Sequence, residues 1–337
     1  MKEQYITLSQ GSGGIESNTL IEEVMYKILG EIIVDGGEDA GVCESKGKIA
    51  LSTDSYVVSP IFFPGGDIGK LCVCGSSNDV AMRGAKPRYL SLGLILEEGM
   101  KRAELEQILY SIKAEAQKTS LKILSGDTKV VPKGAADRIY INTTAIGELY
   151  ANWRVSNLQE GDEIIVSAPI GTHGAVIFCA RNEIALQSDL QSDCAQLYPM
   201  IESVRDCHIH IHTMRDATRG GLAAVLNEWS RAASVEIMLA EESIPVLPQV
   251  QGVCEILGLE ALSLANEGVC VMAVPPKESK KILALLKSHP LGANACIIGH
   301  ISRKVQDINQ AHVILCNAWG GKRYVEYPQG ELLPRIC

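Results

Sequence analysis

Pro64-Gly65-Gly66-Asp67-Ile68-Gly69-Lys70-Leu71-Cys72-Val73-Cys74-Gly75-Ser76-Ser77-Asn78-Asp79-Val80-Ala81-Met82 is a glycine-rich turn running straight into an apolar helix. The turn is not a P-loop. The first glycine of that pattern would fall on Pro64, and Leu71 occupies the Ser/Thr position. The helix, about Ile68 to Met82, places Ile68, Cys72, Gly75, Asp79 and Met82 on one stripe at three- and four-residue spacing. A carboxylate on an otherwise apolar stripe is costly unless paired or coordinated. Asn78 adds a second polar group beside it, so this helix is read as carrying function as well as packing.

Upstream, Gly11-Ser12-Gly13-Gly14 opens a loop before a helix-like stretch from Ser17 to Leu29. It fits neither Walker A nor the dinucleotide fingerprint, whose third glycine would fall on Glu16. Asp35-Gly36-Gly37-Glu38-Asp39-Ala40-Gly41 is a tight turn with three acids, and Lys48 to Asp54 reads as a strand ending in Thr53-Asp54. A carboxylate at a strand mouth beside another on a glycine turn suits a metal site. Taken singly, each aspartate reads as a turn or cap residue. Downstream, Arg88 to Leu96 reads as a strand and Arg102 to Thr119 as an amphipathic helix. The strand Leu121 to Ser125 ends in Gly126-Asp127-Thr128-Lys129, and Ile139 to Leu149 closes the first half. Ala151-Asn152-Trp153 is the expected domain boundary.

The second half opens with Gly161-Asp162 and a buried strand to Ser167. Cys207-His208-Ile209-His210-Ile211-His212 is expected to be a half-exposed strand with three histidines on one face. Such a row tempts a transition-metal reading, but no partner cluster has an obvious place. Met214-Arg215-Asp216-Ala217-Thr218-Arg219-Gly220-Gly221 enters a helix running to Ala232, with groups suited to an anion at its N-terminus. Ser263-Leu264-Ala265-Asn266-Glu267-Gly268 turns into the strand Val269 to Val274.

The length of 337 residues predicts two domains, and 46% hydrophobic with 21% charged residues is ordinary globular composition. Aromatics at 5% and a net charge of −9 exclude base stacking and direct polyanion binding as the main business. Phosphates remain accessible to an acidic protein through a divalent cation. Eleven cysteines without a Cys-x-x-Cys pair, behind an N-terminus lacking a signal-peptide pattern, predict free thiols and a cytoplasmic location. No apolar run is long enough to cross a bilayer. The sequence closes on Glu331-Leu332-Leu333-Pro334-Arg335-Ile336-Cys337, read as a thiol on a tether. The sixteen residues from Lys322 to Cys337 would span roughly 50 Å when extended, enough to cross a domain.

Asp39, Asp54, Asp79, Asp127 and Asp216 all sit beside glycines or at expected element ends. Carboxylates without histidine suit magnesium on a nucleotide. With Gly65-Gly66-Asp67-Ile68-Gly69-Lys70, Ser77-Asn78-Asp79-Val80-Ala81-Met82, Gly126-Asp127-Thr128-Lys129, Asp216-Ala217-Thr218-Arg219-Gly220-Gly221 and Asn266-Glu267-Gly268, the chain resembles the HypE family. That family belongs to the superfamily of aminoimidazole ribonucleotide synthetase, selenophosphate synthetase and thiamine-monophosphate kinase. Pro334-Arg335-Ile336-Cys337 is similar to the carrier tail of HypE, which sister families lack; Gln10 departs from the family, where a histidine is common.

The resemblance implies an α/β plus α+β, PurM-like fold. An N-terminal ATP and magnesium domain (1–150) would pair its sheet across a homodimer, followed by a C-terminal α+β domain (151–321) and a flexible tail (322–337). It implies ATP-dependent dehydration of an S-carboxamide on Cys337 to a thiocyanate, with HypF loading the thiol and a HypC–HypD complex accepting cyanide for nickel–iron hydrogenase. The implied site comprises Cys337, Lys129 and Glu267 for chemistry, with Lys129 also readable as a phosphate clamp. Thr53, Asn78, Gly126, Thr128 and Arg219 join the five aspartates around ATP and Mg2+. Two other readings stand beside it: another ATP enzyme of the superfamily, which would not need Cys337, and a non-catalytic scaffold holding metal on its histidine strand.

Overall fold

The computed structural model describes residues 5–12, 14–34, 40–182, 184, 189–207, 209–329 and 335–337. The chain opens with a 3-10 turn, α1 (Ile15–Leu20), a π-helical segment (Ile21–Tyr26) and α2 (Lys27–Leu29). Strands β1 (Ile49–Tyr56), β2 (Phe62–Phe63) and β3 (Gly66–Asp67) lead into α3 (Ile68–Met82). Asp67 is the N-cap of α3, its carboxylate accepting from the Lys70 amide at 2.9 Å. Then follow β4 (Ala85–Glu97), α4 (Arg102–Gln117), β5 (Lys122–Val131) and β6 (Ile139–Leu149). The sheet order is β1-β6-β4-β5; only the β4–β5 pair is parallel, because the crossover helix α4 joins those two strands.

Helix α3 packs on β1, β4 and β6 and against α4, burying Leu90, Leu92, Leu94 and Leu96 of β4. The alternate residues of β1, Ile49, Leu51, Thr53 and Ser55, are exposed. One sheet face is therefore covered by helices and the other is open and partly apolar, Ile95 included.

The second half contributes β7 (Glu163–Val166), α5 (Thr172–Arg181), α6 (Tyr198–Asp206), β8 (Thr213–Asp216), α7 (Gly221–Ala233) and β9 (Val235–Ala240). It continues with α8 (Pro248–Leu257), β10 (Cys270–Val274), α9 (Pro276–Lys287), β11 (Cys296–Lys304), β12 (Val313–Cys316) and β13 (Lys322–Tyr324). These strands form one sheet, β13-β12-β9-β11-β7-β10-β8, antiparallel except for β12–β9. Helix α3 reaches this half too. Its end buries Ala81 and Met82 with Trp153, Leu197 and Met200.

Three expected elements differ. Residues 209–212 form no strand; β8 begins at Thr213, after the α6 helix has ended at Asp206. Gly126 to Lys129 lie inside β5 rather than beyond its end, because pairing with β4 continues to Val131. The expected flexible tail begins too early: Lys322–Tyr324 pairs with β12, and Val325 is buried.

Candidate active site

Alternation along β1 turns Ser52, Asp54 and Tyr56 toward α3, and helical spacing sets Gly75 and Asp79 opposite them. The Ser52 hydroxyl donates to Asp79 Oδ2 at 2.6 Å. Tyr56, a residue the sequence reading missed, accepts from the Ser76 amide at 2.8 Å. A Cβ on Gly75 would lie 2.3 Å from the Tyr56 oxygen, so this turn of the helix requires glycine. From the other sheet, β8 ends at Asp216, Arg219 follows in the turn before α7, and Glu267 precedes β10. All three converge on the β1–α3 edge.

Arg335, Ile336 and Cys337 close the same pocket, a cavity of about 330 Å³ that also contacts Thr53, Asp54, Asp79, Asp216, Arg219 and Glu267. The sequence end is seated like a short added strand. The Val57 amide donates to the main-chain oxygen of Cys337 at 3.0 Å and the Ser59 amide to the Arg335 carbonyl at 3.3 Å. Arg335 Nε donates to the Val57 carbonyl at 2.8 Å, and its guanidinium pairs with Asp137 at 2.9 Å. Ile336 is 3% exposed within the first domain's core, a burial worth roughly 1.5–3 kcal/mol.

Burial dominates the electrostatics. It raises the Asp79 carboxyl to about 6, helped by Asp54 and opposed by Ser52. It pushes Asp216 well above the ordinary carboxylate range, with Asp79 adding to the effect. Glu267, 3% exposed, is raised in the same way by burial and then by Cys194, Asp216, Asp193 and Asp54. Its Oε1 has no hydrogen-bond partner among the described residues. The seated Cys337 thiol is pushed up to about 12 by burial and by Glu267, with Arg219 pulling the other way. The pocket is thus short of positive charge.

The Glu267 loop is held firmly. Asp193 Oδ2 accepts from the amides of Glu267 (3.0 Å) and Gly268 (2.8 Å). A Cβ on Gly268 would meet the Asp193 carbonyl at 1.9 Å, which accounts for glycine there.

Of the expected ligands, Asp54, Asp79, Asp216, Thr53 and Arg219 meet Cys337 and Glu267 in this pocket. Gly126, Asp127, Thr128 and Lys129 do not. They rim a separate cavity of about 330 Å³ with Gln10, Gly11 and Met25. Strand β5 stands three strand spacings from β1, roughly 14 Å. Asp127 and Lys129 pair with each other at 2.5 Å and are 67% and 61% exposed. Their register partners are Gly93 and Ile95, which puts them on the open face of the sheet. Asn78 is not free for a nucleotide. It donates to the Ala195 carbonyl (3.0 Å) and accepts from the Leu197 amide (2.8 Å), tying α3 to the second domain. Asp39 lies outside the described residues.

Among the described residues, no three His, Cys, Asp or Glu side chains come close enough to hold a metal ion by themselves. Asp54, Asp79 and the buried Asp216, gathered on one pocket, nonetheless suit magnesium. That ion keeps its own waters and binds through one or two carboxylates plus substrate phosphates.

The histidine row is dispersed. His208 lies outside the described residues, His210 is exposed, and His212 is buried with Nδ1 2.6 Å from Asp162 Oδ2. His210→Ala is accordingly expected to change activity by no more than about twofold. A larger loss restored by added nickel or zinc in a turnover assay would contradict this.

Profiles of the AIR synthase related protein N-terminal and C-terminal domains match residues 37–149 and 159–308, which defines the class of protein. Within it, the chain is 43% identical to carbamoyl dehydratase HypE of Escherichia coli (strain K12), over 98% of this chain and 99% of the relative. It superposes on the solved structure of hydrogenase maturation protein HypE in complex with ATP at a TM-score of 0.94, with 40% identity over 98% of this chain and 99% of that one. It also superposes on HypE in a solved HypE–HypF complex at a TM-score of 0.80, with 41% identity over 92% and 99% of the two chains. The chain belongs to the HypE family of carbamoyl dehydratases, enzymes of hydrogenase maturation. Among the described residues no helix is long and apolar enough to cross a membrane.

Proposed function

We propose that the protein uses ATP to convert an S-carboxamide on Cys337 into a thiocyanate, the cyanide source for the iron of nickel–iron hydrogenase. The observation that carries this reading is the seating of Cys337 beside Glu267, in one pocket with Asp54, Asp79, Asp216 and Arg219. The carboxamide S–C(=O)–NH2 becomes S–C≡N by losing its oxygen and both nitrogen-bound protons. That oxygen leaves only after phosphorylation by ATP, and magnesium on the aspartates would offset phosphate charge.

This chain's residues do the rest. Ile336 and the Arg335 contacts fix the position of the sulfur that carries the carboxamide and help exclude water there. Glu267, with a free buried oxygen, takes a proton from the carboxamide nitrogen. Arg219 offers positive charge at the pocket. In its seat the thiol, raised to about 12, is a poor nucleophile. Loading therefore takes place with the tail out of the cleft, on a carbamoyl-transferring partner of the HypF kind, and the tail returns to be dehydrated. A HypC–HypD complex then accepts the cyanide in the cytoplasm.

Lys129 enters this scheme through a second copy. The open sheet face, with Ile49, Leu51 and Ile95 exposed on it, is the surface on which a homodimer would form, and Lys129 and Asp127 stand on that face. Lys129 is then the second proton-handling group.

The test is the intact mass of protein incubated with the carbamoylating partner. A carboxamide should be gained, and one water lost only once ATP is added; loss of water without ATP would overturn the reading.

Asp79 has a diagnostic of its own. Its carboxyl is raised from the ordinary range to about 6 in the folded protein. A raised carboxyl favours folding below its unfolded value, and that contribution disappears as pH climbs through 6. Asp79→Asn keeps an acceptor for Ser52 and removes the buried charge. It is expected to melt a few degrees higher than the parent at pH 7.5, but not at pH 4, while losing magnesium-dependent ATP binding by calorimetry. Unchanged ATP affinity would place the metal elsewhere.

A further inference from the structure

The last three residues make one contact that the dehydration chemistry does not require. His173, on the first turn of α5, is fully buried, and its Nε2 lies 2.8 Å from the Ile336 carbonyl. Its Nδ1 lies 2.7 Å from Ser192 Oγ. The carbonyl can only accept, so Nε2 carries the proton and Nδ1 accepts from the Ser192 hydroxyl. Ser192 Oγ in turn accepts from the Cys194 amide at 3.1 Å, which leaves its own proton for the histidine. Phe63 meets the imidazole edge-on at 5.4 Å, so the ring is held in orientation as well as in tautomer.

The same loop carries Asp193, whose carboxylate fixes the Glu267 and Gly268 amides. Adjacent residues of one loop therefore set both the imidazole that grips the tail and the backbone that presents the base. Arg181 adds a second grip, donating to the Arg335 carbonyl at 2.8 Å and to the Ser59 carbonyl at 2.9 Å.

We propose that His173 is a positioning residue that seats the tail, donating to the Ile336 carbonyl so that the Cys337 sulfur is held against Glu267. Recognition runs largely through main-chain oxygens of residues 335, 336 and 337, with Ile336 filling an apolar hole. None of these contacts uses the sulfur. The proposal rests on the seated tail and not on the dehydratase reading.

The test uses the full-length protein and needs no turnover. Cys337 alkylation by iodoacetamide is followed by peptide mass, with the exposed Cys43 and Cys207 as references in the same sample. His173→Asn keeps a polar group at the Nδ1 position for Ser192 but cannot reach Ile336, whereas His173→Gln carries a donor to the Nε2 position. His173→Asn is expected to raise Cys337 alkylation relative to the references about tenfold, the consequence of losing one buried hydrogen bond. His173→Gln is expected to return it toward the parent rate. A purely structural histidine would make both variants alike. Equal Cys337 alkylation in His173→Asn, His173→Gln and the parent, or equal increases in both variants, would overturn the assignment.

Discussion

Glu267→Gln is expected to bind ATP as the parent does and to form thiocyanate roughly two to four orders of magnitude more slowly, the span usual for a general acid–base group. The amide keeps the shape of the side chain, and the Asp193 contacts to the backbone of the loop are untouched. What disappears is the proton acceptor at the buried Oε1. Burial and the surrounding thiol and carboxylates raise Glu267 well above the ordinary carboxylate range. The basic form therefore appears only as pH rises past that elevated value, or when positive charge enters the pocket. Parent turnover should accordingly climb with pH on its acid limb, and that limb should be missing from the residual rate of the variant. Stability moves the opposite way from activity. A carboxyl raised in the folded state withdraws support from folding as pH increases, so Glu267→Gln should melt no lower than the parent at pH 8. Slow dehydration in a protein at least as stable as the parent separates lost chemistry from lost fold. Parent-like single-turnover formation of thiocyanate would remove Glu267 from the mechanism.

Much of this pocket is legible in the sequence because its groups sit at positions that local chemistry marks. Asp79 is a carboxylate on an otherwise apolar stripe of its helix, and Asp216 and Glu267 stand beside glycine turns at strand boundaries. Helix α3 and strand β6 keep the bounds read from the sequence; for α3, Gly65, Gly66 and Gly84 mark the two ends. Other features depended on facts that no local window contains. Thr53 and Asp54 look like a strand end, yet pairing with β6 carries β1 on to Tyr56. Gly126 to Lys129 look like a loop beside the same site, and only the strand order puts them on the opposite edge. Cys207 to His212 alternate as a strand would, but His212 is drawn into a buried pair with Asp162, fifty residues earlier. The residues that seat the tail were out of reach for the same reason. His173, Ser192 and Asp193 stand in stretches without pattern, and their meaning comes from the chain end that folds against them. Asn78 illustrates the converse: a conspicuous polar residue whose work is to join two domains.

Cys337→Ser is expected to bind nucleotide with the affinity of the parent and to deliver no cyanide. Serine fits the seat, because the contacts there use the Cys337 main-chain oxygen and the two preceding residues rather than the sulfur. ATP binding should survive, since Asp54, Asp79 and Asp216 belong to the folded domains. Carbamoyl loading should fail because a serine hydroxyl is far less available as an anion near neutral pH than a thiol free of the cleft. Even a loaded serine would carry an O-carbamate, whose dehydration gives a cyanate ester, a poorer cyanide donor than a thiocyanate. Adding a few residues after Cys337 should also impair the protein, because Cys337 and its main-chain oxygen are already seated against this pocket and an added chain would compete for the same space. Intact-mass measurement with the carbamoylating partner decides the question. The parent should gain one carboxamide and lose one water on addition of ATP, and Cys337→Ser should do neither. Cys270 is a poor substitute, being buried in the second sheet and pushed up to about 12 by that burial. A Cys337→Ser protein that still loads and dehydrates on Cys270 or another internal thiol would refute the tethered carrier, and with it the reason for a seat that holds this sulfur beside Glu267.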